Sequence, residues 1–406
     1  MMSVQHLPRT RDDQRSGNLW TPPASGNMLL MSLSRSRRIV LTLLATVALV
    51  LPVSGVATAD TTPQAFNPIE LIGPYPSDLP PGGTYLPVLD EFSTLRKNNP
   101  AVIAQNLQTV VKINNNATPE QQQDAIEINY DDRLTSLSVA LGDKLGPIFE
   151  KLLADGKLPK VASLAEGDLA RAGLPSGTTL PEKEFFDNPR PFVAAPKSIK
   201  RYDQPGGHLY AELEGNGSYP SGHANMGYWK GALLASWLPE LGPQIIARAG
   251  EIGLGRIVLG VHYPLDVMGG RLMAMDLTAA RLSDPGFDRL IDEAGAQLRD
   301  QLEETVGMPL AEFIATDTPY LTTPEAVAEH QSLMTYGLPQ IAPGQQNRIP
   351  AQAAALLKTK FPHLSDQQRL AILEKTAIPA GYPLDKSGAN GGWLRIDLAA
   401  AYAATP

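Results

Sequence analysis

Residues 243–281 read PQIIARAGEIGLGRIVLGVHYPLDVMGGRLMAMDLTAAR, and Pro243 and Pro264 each stand at the head of an apolar run. Proline suits the first helical position, where a missing N–H leaves no intrahelical bond unmade, so the stretch predicts helices over Pro243–Leu259 and Pro264–Arg281. Toward the N-terminus, apolar residues recur at helical spacing through Ala101–Ile113 and again through Ile126–Leu153. In the second of these Leu134, Leu137, Leu141, Leu145, Ile148 and Leu152 keep a 3.6-residue period. Strand-like alternation is scarce. The expected fold is therefore all-α, a helical bundle with chemistry-bearing segments on its loops and helix ends.

The 406 residues and 43% apolar content are enough for a substantial core. A net charge of -8 with mixed signs and no basic block beyond the N-terminus argues against nucleic-acid binding. There is no cysteine, so disulfides, thiolate nucleophiles and cysteine metal sites are excluded, and six histidines remain for chemistry.

Arg35, Arg37 and Arg38 precede an apolar run from Ile39 to Val53, followed by Ala57-Thr58-Ala59 at the spacing of a cleavage site. This is the pattern of a signal peptide cleaved after Ala59, and the run is short for a bilayer span of about 20 residues. Ser36-Arg37-Arg38 also resembles a twin-arginine export signal, with the general secretory route the alternative. The polar residues 1–27 precede Met28 and Met31 and suggest an over-extended gene start or a long n-region. The expected organisation is an N-terminal extension and signal over 1–59, an extended lead-in over 60–84, a main domain over 85–316 and an irregular extension or small subdomain over 317–406. Within the last, Ser365 and Gln368 predict a capping box, and Trp393 an anchor to the core in preference to a ligand platform.

Three strings carry candidate chemistry: KEFFDNPRP (183–191), GSYPSGH (217–223) and RIVLGVHYPLD (256–266). Ser221-Gly222-His223 opens an apolar helix, and a helix start offers free N–H groups and a positive dipole end to a phosphate. Asp266 follows His262 by four residues across a helix start, so its carboxylate can accept the Nδ1 proton and leave Nε2 as a lone pair. Pro191 holds Arg190 extended, and Arg190 with Lys183 can reach phosphoryl oxygens. Each string alone reads as caps and surface cations. Their order and compact spacing together point to a phosphate site.

These strings resemble the signature of the PAP2 superfamily, which includes class A bacterial acid phosphatases, lipid phosphatases and vanadium haloperoxidases. The context GSYPSGHA most resembles the secreted acid phosphatases, and the similarity spans roughly Asp131 to Asp284. The resemblance implies the helical haloperoxidase-like domain. It also implies that His262 attacks phosphorus to form a phosphohistidine, that Asp266 supports it and that His223 protonates the leaving oxygen. Lys183, Arg190, Ser221, Gly222 and Arg256 would hold the non-bridging oxygens. Gly255 departs from the family's usual serine before the arginine.

The expected activity is a secreted or periplasmic, metal-independent acid phosphatase acting on small phosphate monoesters with an acid optimum. Vanadate would be an inhibitor. The alternatives are a vanadium-dependent haloperoxidase, in which vanadate is the cofactor, a soluble lipid-phosphate phosphatase, or a non-catalytic phosphate-binding or surface interaction protein. No stable membrane insertion is expected after cleavage, since no later apolar run reaches ~20 residues. His208, His330 and His363 lie outside the strings, with His208 a candidate for the pocket mouth.

Overall fold

The computed structural model describes residues 62–80, 82–131, 133–165 and 179–406. The expected leader over 1–59 lies outside them. Among the described residues the structure is all-α, with no strand. Its centre is the helix Gly222–Trp237, which buries residues on every side, including Trp229, Leu233 and Leu234. A helix apolar all round belongs at the middle of a bundle.

The helices Gly242–Val258 and Pro264–Ser283 pack along both sides of it. Both begin where the prolines predict. The helix Pro285–Val306 closes another side, with Phe287, Leu290, Ile291, Ala294, Leu298 and Leu302 forming one buried stripe. Its start is fixed by Asp284, whose carboxylate accepts from the N–H groups of Gly286 and Phe287. Trp237 ties it to the centre by donating to the Ile291 carbonyl at 2.9 Å.

The periodic stretch Ile126–Leu153 is not continuous. It divides among helices Pro119–Tyr130, Arg133–Ser138 and Leu145–Ala154, with a 3-10 turn at Val139–Leu141. Gly142 breaks it with φ 107°, and the N–H groups of Lys144 and Leu145 then donate to the Asp317 carboxylate. Leu134, Leu137, Leu141 and Leu145 are all buried, so the apolar period survives the break.

The lead-in has little regular structure beyond the short helix Pro68–Leu71. It is pinned by buried Phe66, by the Tyr75–Phe287 ring contact and by the Asp78–Arg281 ion pair at 2.7 Å. The C-terminal segment packs into the same core. Helices Thr323–Thr335 and Leu398–Ala403 lie against Gly242–Val258, and the 3-10 helix Ala351–Leu357 lies against Pro264–Ser283. Arg271, buried in the Pro264–Ser283 helix, donates to the carbonyls of Met334, Leu394 and Ile396, each at 3.2 Å. Ser365 and Gln368 form the expected capping box on Asp366–Thr376.

Trp393 is buried in this joint, as expected of an anchor. Trp393→Ala should cost about 3 to 5 kcal/mol, the range for emptying a buried aromatic site. Urea unfolding measures it, and a loss under 1 kcal/mol would show that the joint does not hold the fold.

Candidate active site

The site forms where the ends of the bundle helices meet two loops. Ser221 caps the central helix, its Oγ accepting from the Ala224 N–H at 3.3 Å. The Ser221 N–H donates to the Asp266 carbonyl at 2.9 Å, which locks the second string to the third. Gly270 permits this approach, since a Cβ there would stand 2.5 Å from the Ser221 carbonyl oxygen.

Arg256 lies in the last turn of its helix, and the chain turns through Gly260 at φ 66° before His262. The N–H groups of Val261 and His262 fold back onto the Arg256 carbonyl at 3.1 and 3.3 Å. Asp266 sits in the first turn of the next helix. Its Oδ2 accepts from the Tyr263 N–H at 2.8 Å and lies 3.2 Å from His262 Nδ1.

On the opposite edge of the His262 ring, Arg190 places a guanidinium nitrogen 3.1 Å from Nε2. A guanidinium can only donate, so Nε2 is an acceptor and the proton sits on Nδ1, facing Asp266. Arg190 has the extended backbone expected before Pro191 (ψ 154°) and is braced by the carbonyls of Asn216 and Val261, both at 3.0 Å. Lys183 donates to the carbonyls of Gly217 and Ser218 at 2.8 and 3.2 Å. Asn188 bonds Ser218 through both its backbone and its side chain, so the first two strings are stitched together.

All three string cations are buried: Lys183, Arg190 and Arg256 are 8, 3 and 1% exposed. Burial, followed by the Arg190 charge, pushes the Lys183 ammonium well below its usual range, with Asp266 pulling the other way. Burial likewise lowers Arg190 to about 10 and depresses Arg256, which also feels Arg190 and Arg133. His262 is held well below the ordinary histidine range by burial and then by Arg190, Lys183, Arg256 and His223. Burial raises the Asp266 carboxyl to about 6 against the Tyr263 N–H and the Lys183 and Arg190 charges. Every one of these shifts opposes charge in a cage with more cations than anions. A bound dianion would relieve the excess.

Three neighbours were not apparent from the sequence. Asn129 accepts from Arg256 at 2.7 Å, Asn216 braces Arg190, and Arg133 touches Nε2 of His223. They lie 127, 26 and 90 residues from their partners, with no local spacing to betray them. Gly255 faces the helix Pro119–Tyr130, where an added Cβ would stand 3.4 Å from Ala125, so a side chain there would meet that helix first. His208 is exposed at the start of Leu209–Glu212, His363 is exposed, and His330 is buried against Asp397 at 2.9 Å. Among the described residues no group of histidine, aspartate and glutamate is arranged to hold a metal ion.

The chain also matches known proteins. Over 83 residues the chain is 35% identical to a non-specific acid phosphatase of Providencia stuartii, covering 20% of this chain and 34% of that protein. An acid phosphatase of Zymomonas mobilis is 34% identical over 117 residues, 29% of this chain and 42% of its own. A non-specific acid phosphatase of Salmonella typhimurium is 29% identical over 123 residues, 30% and 47%. The matched part thus spans less than half the length of each relative. Residues 169–284, which hold all three strings, match the PAP2 superfamily.

Proposed function

We propose that the protein is a phosphatase that hydrolyses small phosphate monoesters through a phosphohistidine on His262. The observation that carries this reading is a buried histidine whose Nε2 lone pair faces Arg190, with the buried Lys183 and Arg256 charges acting on the same ring. The phosphoryl oxygens would lie among Lys183, Arg190 and Arg256, the Ser221 hydroxyl and the Gly222 N–H at the start of the central helix.

Nε2 of His262 attacks phosphorus, and the bond from phosphorus to the ester oxygen breaks. That oxygen takes the Nε2 proton of His223 and leaves as an alcohol. The phosphorylated ring is cationic, and Asp266 accepts its Nδ1–H. Water then attacks phosphorus and gives a proton to His223, the P–N bond breaks, and inorganic phosphate departs.

The cage supplies the charge that a divalent ion provides in other phosphatases, so the reaction is proposed to need no metal. His223 must be protonated, and burial, Arg256 and Arg133 lower its affinity for a proton, so activity is lost as pH rises. Asp266 must be ionised, so activity is lost as pH falls through about 6. The profile should be a narrow bell with its optimum on the acid side.

Exported placement is part of the proposal. It rests on the leader pattern of residues 35–59, and no described helix is long and apolar enough to cross a membrane. The relatives' names favour hydrolysis over peroxide-dependent halide oxidation.

The test is a phosphomonoester panel from pH 4 to 8, with and without chelator, beside a bromination assay with vanadate and peroxide. Hydrolysis unchanged by chelator and inhibited by vanadate is expected. Loss of activity on chelation would overturn the metal-free mechanism, and bromination without hydrolysis would overturn the phosphatase reading.

A further inference from the structure

The environment of His223 differs from that of His262 in one respect. Among the described residues, the charges that act on it are those of arginines. The Asn129 backbone, from the helix Pro119–Tyr130, favours its protonated form. Nε2 meets a terminal nitrogen of Arg133, the first residue of the helix Arg133–Ser138. Arg256 from Gly242–Val258 and Arg190 from the loop before Pro191 add positive charge around it, and His262 beyond them is neutral.

A guanidinium cannot accept a hydrogen bond, so Nε2 of His223 is an acceptor and carries no proton in this arrangement. Nε2 is also the atom that must hand a proton to the leaving oxygen. With Nε2 so engaged, the acid is in the wrong form. Arg133 is only partly buried, and its other terminal nitrogen donates to the Asp131 carbonyl at 3.2 Å at the exposed rim. Its long side chain can turn from His223 toward an incoming anion.

We propose that Arg133 is a positioning residue that occupies Nε2 of His223 until an anionic substrate draws the guanidinium away, and that it sets the pH above which hydrolysis stops. This rests on the phosphatase reading and on His223 as its acid. Burial and the charges of Arg256 and Arg133 all disfavour the imidazolium, in agreement with the contact. When the dianion arrives, the same guanidinium moves onto it, the Nε2 lone pair is released, and His223 takes a proton from solvent. Binding and arming of the acid become one event.

The pH dependence of kcat/KM reports groups of the free enzyme, so it reads this contact directly. It would be measured for the full chain, Arg133→Gln and Arg133→Lys with phenyl phosphate, whose leaving oxygen needs a proton. Removing one contacting charge is worth on the order of a tenfold change in proton affinity. One pH unit above the wild-type midpoint, Arg133→Gln should retain roughly fivefold more of its own maximal activity than the wild type. Arg133→Lys, which keeps the charge, should keep the wild-type alkaline limb.

An unmoved limb in a folded Arg133→Gln protein overturns the proposal, however much its rate has fallen. Should that variant not fold, nitrogen NMR of histidine-labelled wild type decides, with His223 assigned by the signal lost in His223→Gln. An unprotonated Nε2 that gains a proton when inorganic phosphate is added supports the proposal, and an Nε2–H tautomer in the free enzyme overturns it. Absence of any wild-type hydrolysis would instead sink the phosphatase reading, which the NMR result does not require.

Discussion

His262→Ala is expected to lower kcat for phosphomonoesters by at least roughly 10⁴-fold, because it removes the proposed nucleophile and not one of several clamps. The cage should survive. Lys183 and Arg190 are held by backbone carbonyls of residues 216–218 and Val261, and Arg256 by Asn129, none of which needs the imidazole. Phosphate should therefore still bind and still protect the variant against thermal unfolding. Steady-state rates and melting curves with and without phosphate separate the two effects. Turnover above a hundredth of wild type would remove His262 from the role of nucleophile, whereas loss of phosphate protection would mean that the substitution had collapsed the cage.

The second large effect is expected from Asp266→Asn, with kcat falling on the order of 10² to 10⁴-fold and KM little changed. Oδ2 of Asp266 receives both the Tyr263 N–H and the Nδ1 edge of His262. An amide oxygen can accept both bonds, so the ring keeps its place while the negative charge is lost. That charge matters most when the ring is cationic, as it is only in the phosphorylated state and the transition states around it. The acid limb should also go. The carboxyl, raised to about 6 by burial, is protonated below that pH in the wild type, and asparagine has nothing to protonate. A variant with normal kcat, or one that keeps the wild-type acid limb, would show that Asp266 only caps its helix.

The parts of the site that could be read from sequence are those whose geometry is local. His262 and Asp266 straddle a helix start, and their four-residue separation fixes how they meet. Arg190 is extended because Pro191 follows it, and Ser221 caps a helix whose apolar residues announce it. The whole-helix pattern was legible for the same reason, since Pro243 and Pro264 mark helix starts in the sequence itself.

Arg133, Asn129 and Asn216 were not legible, because each reaches its partner through tertiary packing. The division of Ile126–Leu153 was hidden because its leucines face one core through three separate helices, so the period runs on past the break at Gly142. Gly255 stands where the family usually has serine, and its Cα faces Ala125, a direction set by how two helices cross and invisible in either one.

The central claim is the covalent bond between His262 and phosphorus, and trapping that bond tests it most directly. Enzyme mixed with ³²P-labelled phenyl phosphate, quenched in alkali within a turnover and digested, should carry label on the peptide containing His262. The label should withstand alkali, be lost in acid as a phosphoramidate is, and be absent from His262→Ala. Label on another residue, or none under conditions where substrate is consumed, would contradict the phosphohistidine mechanism.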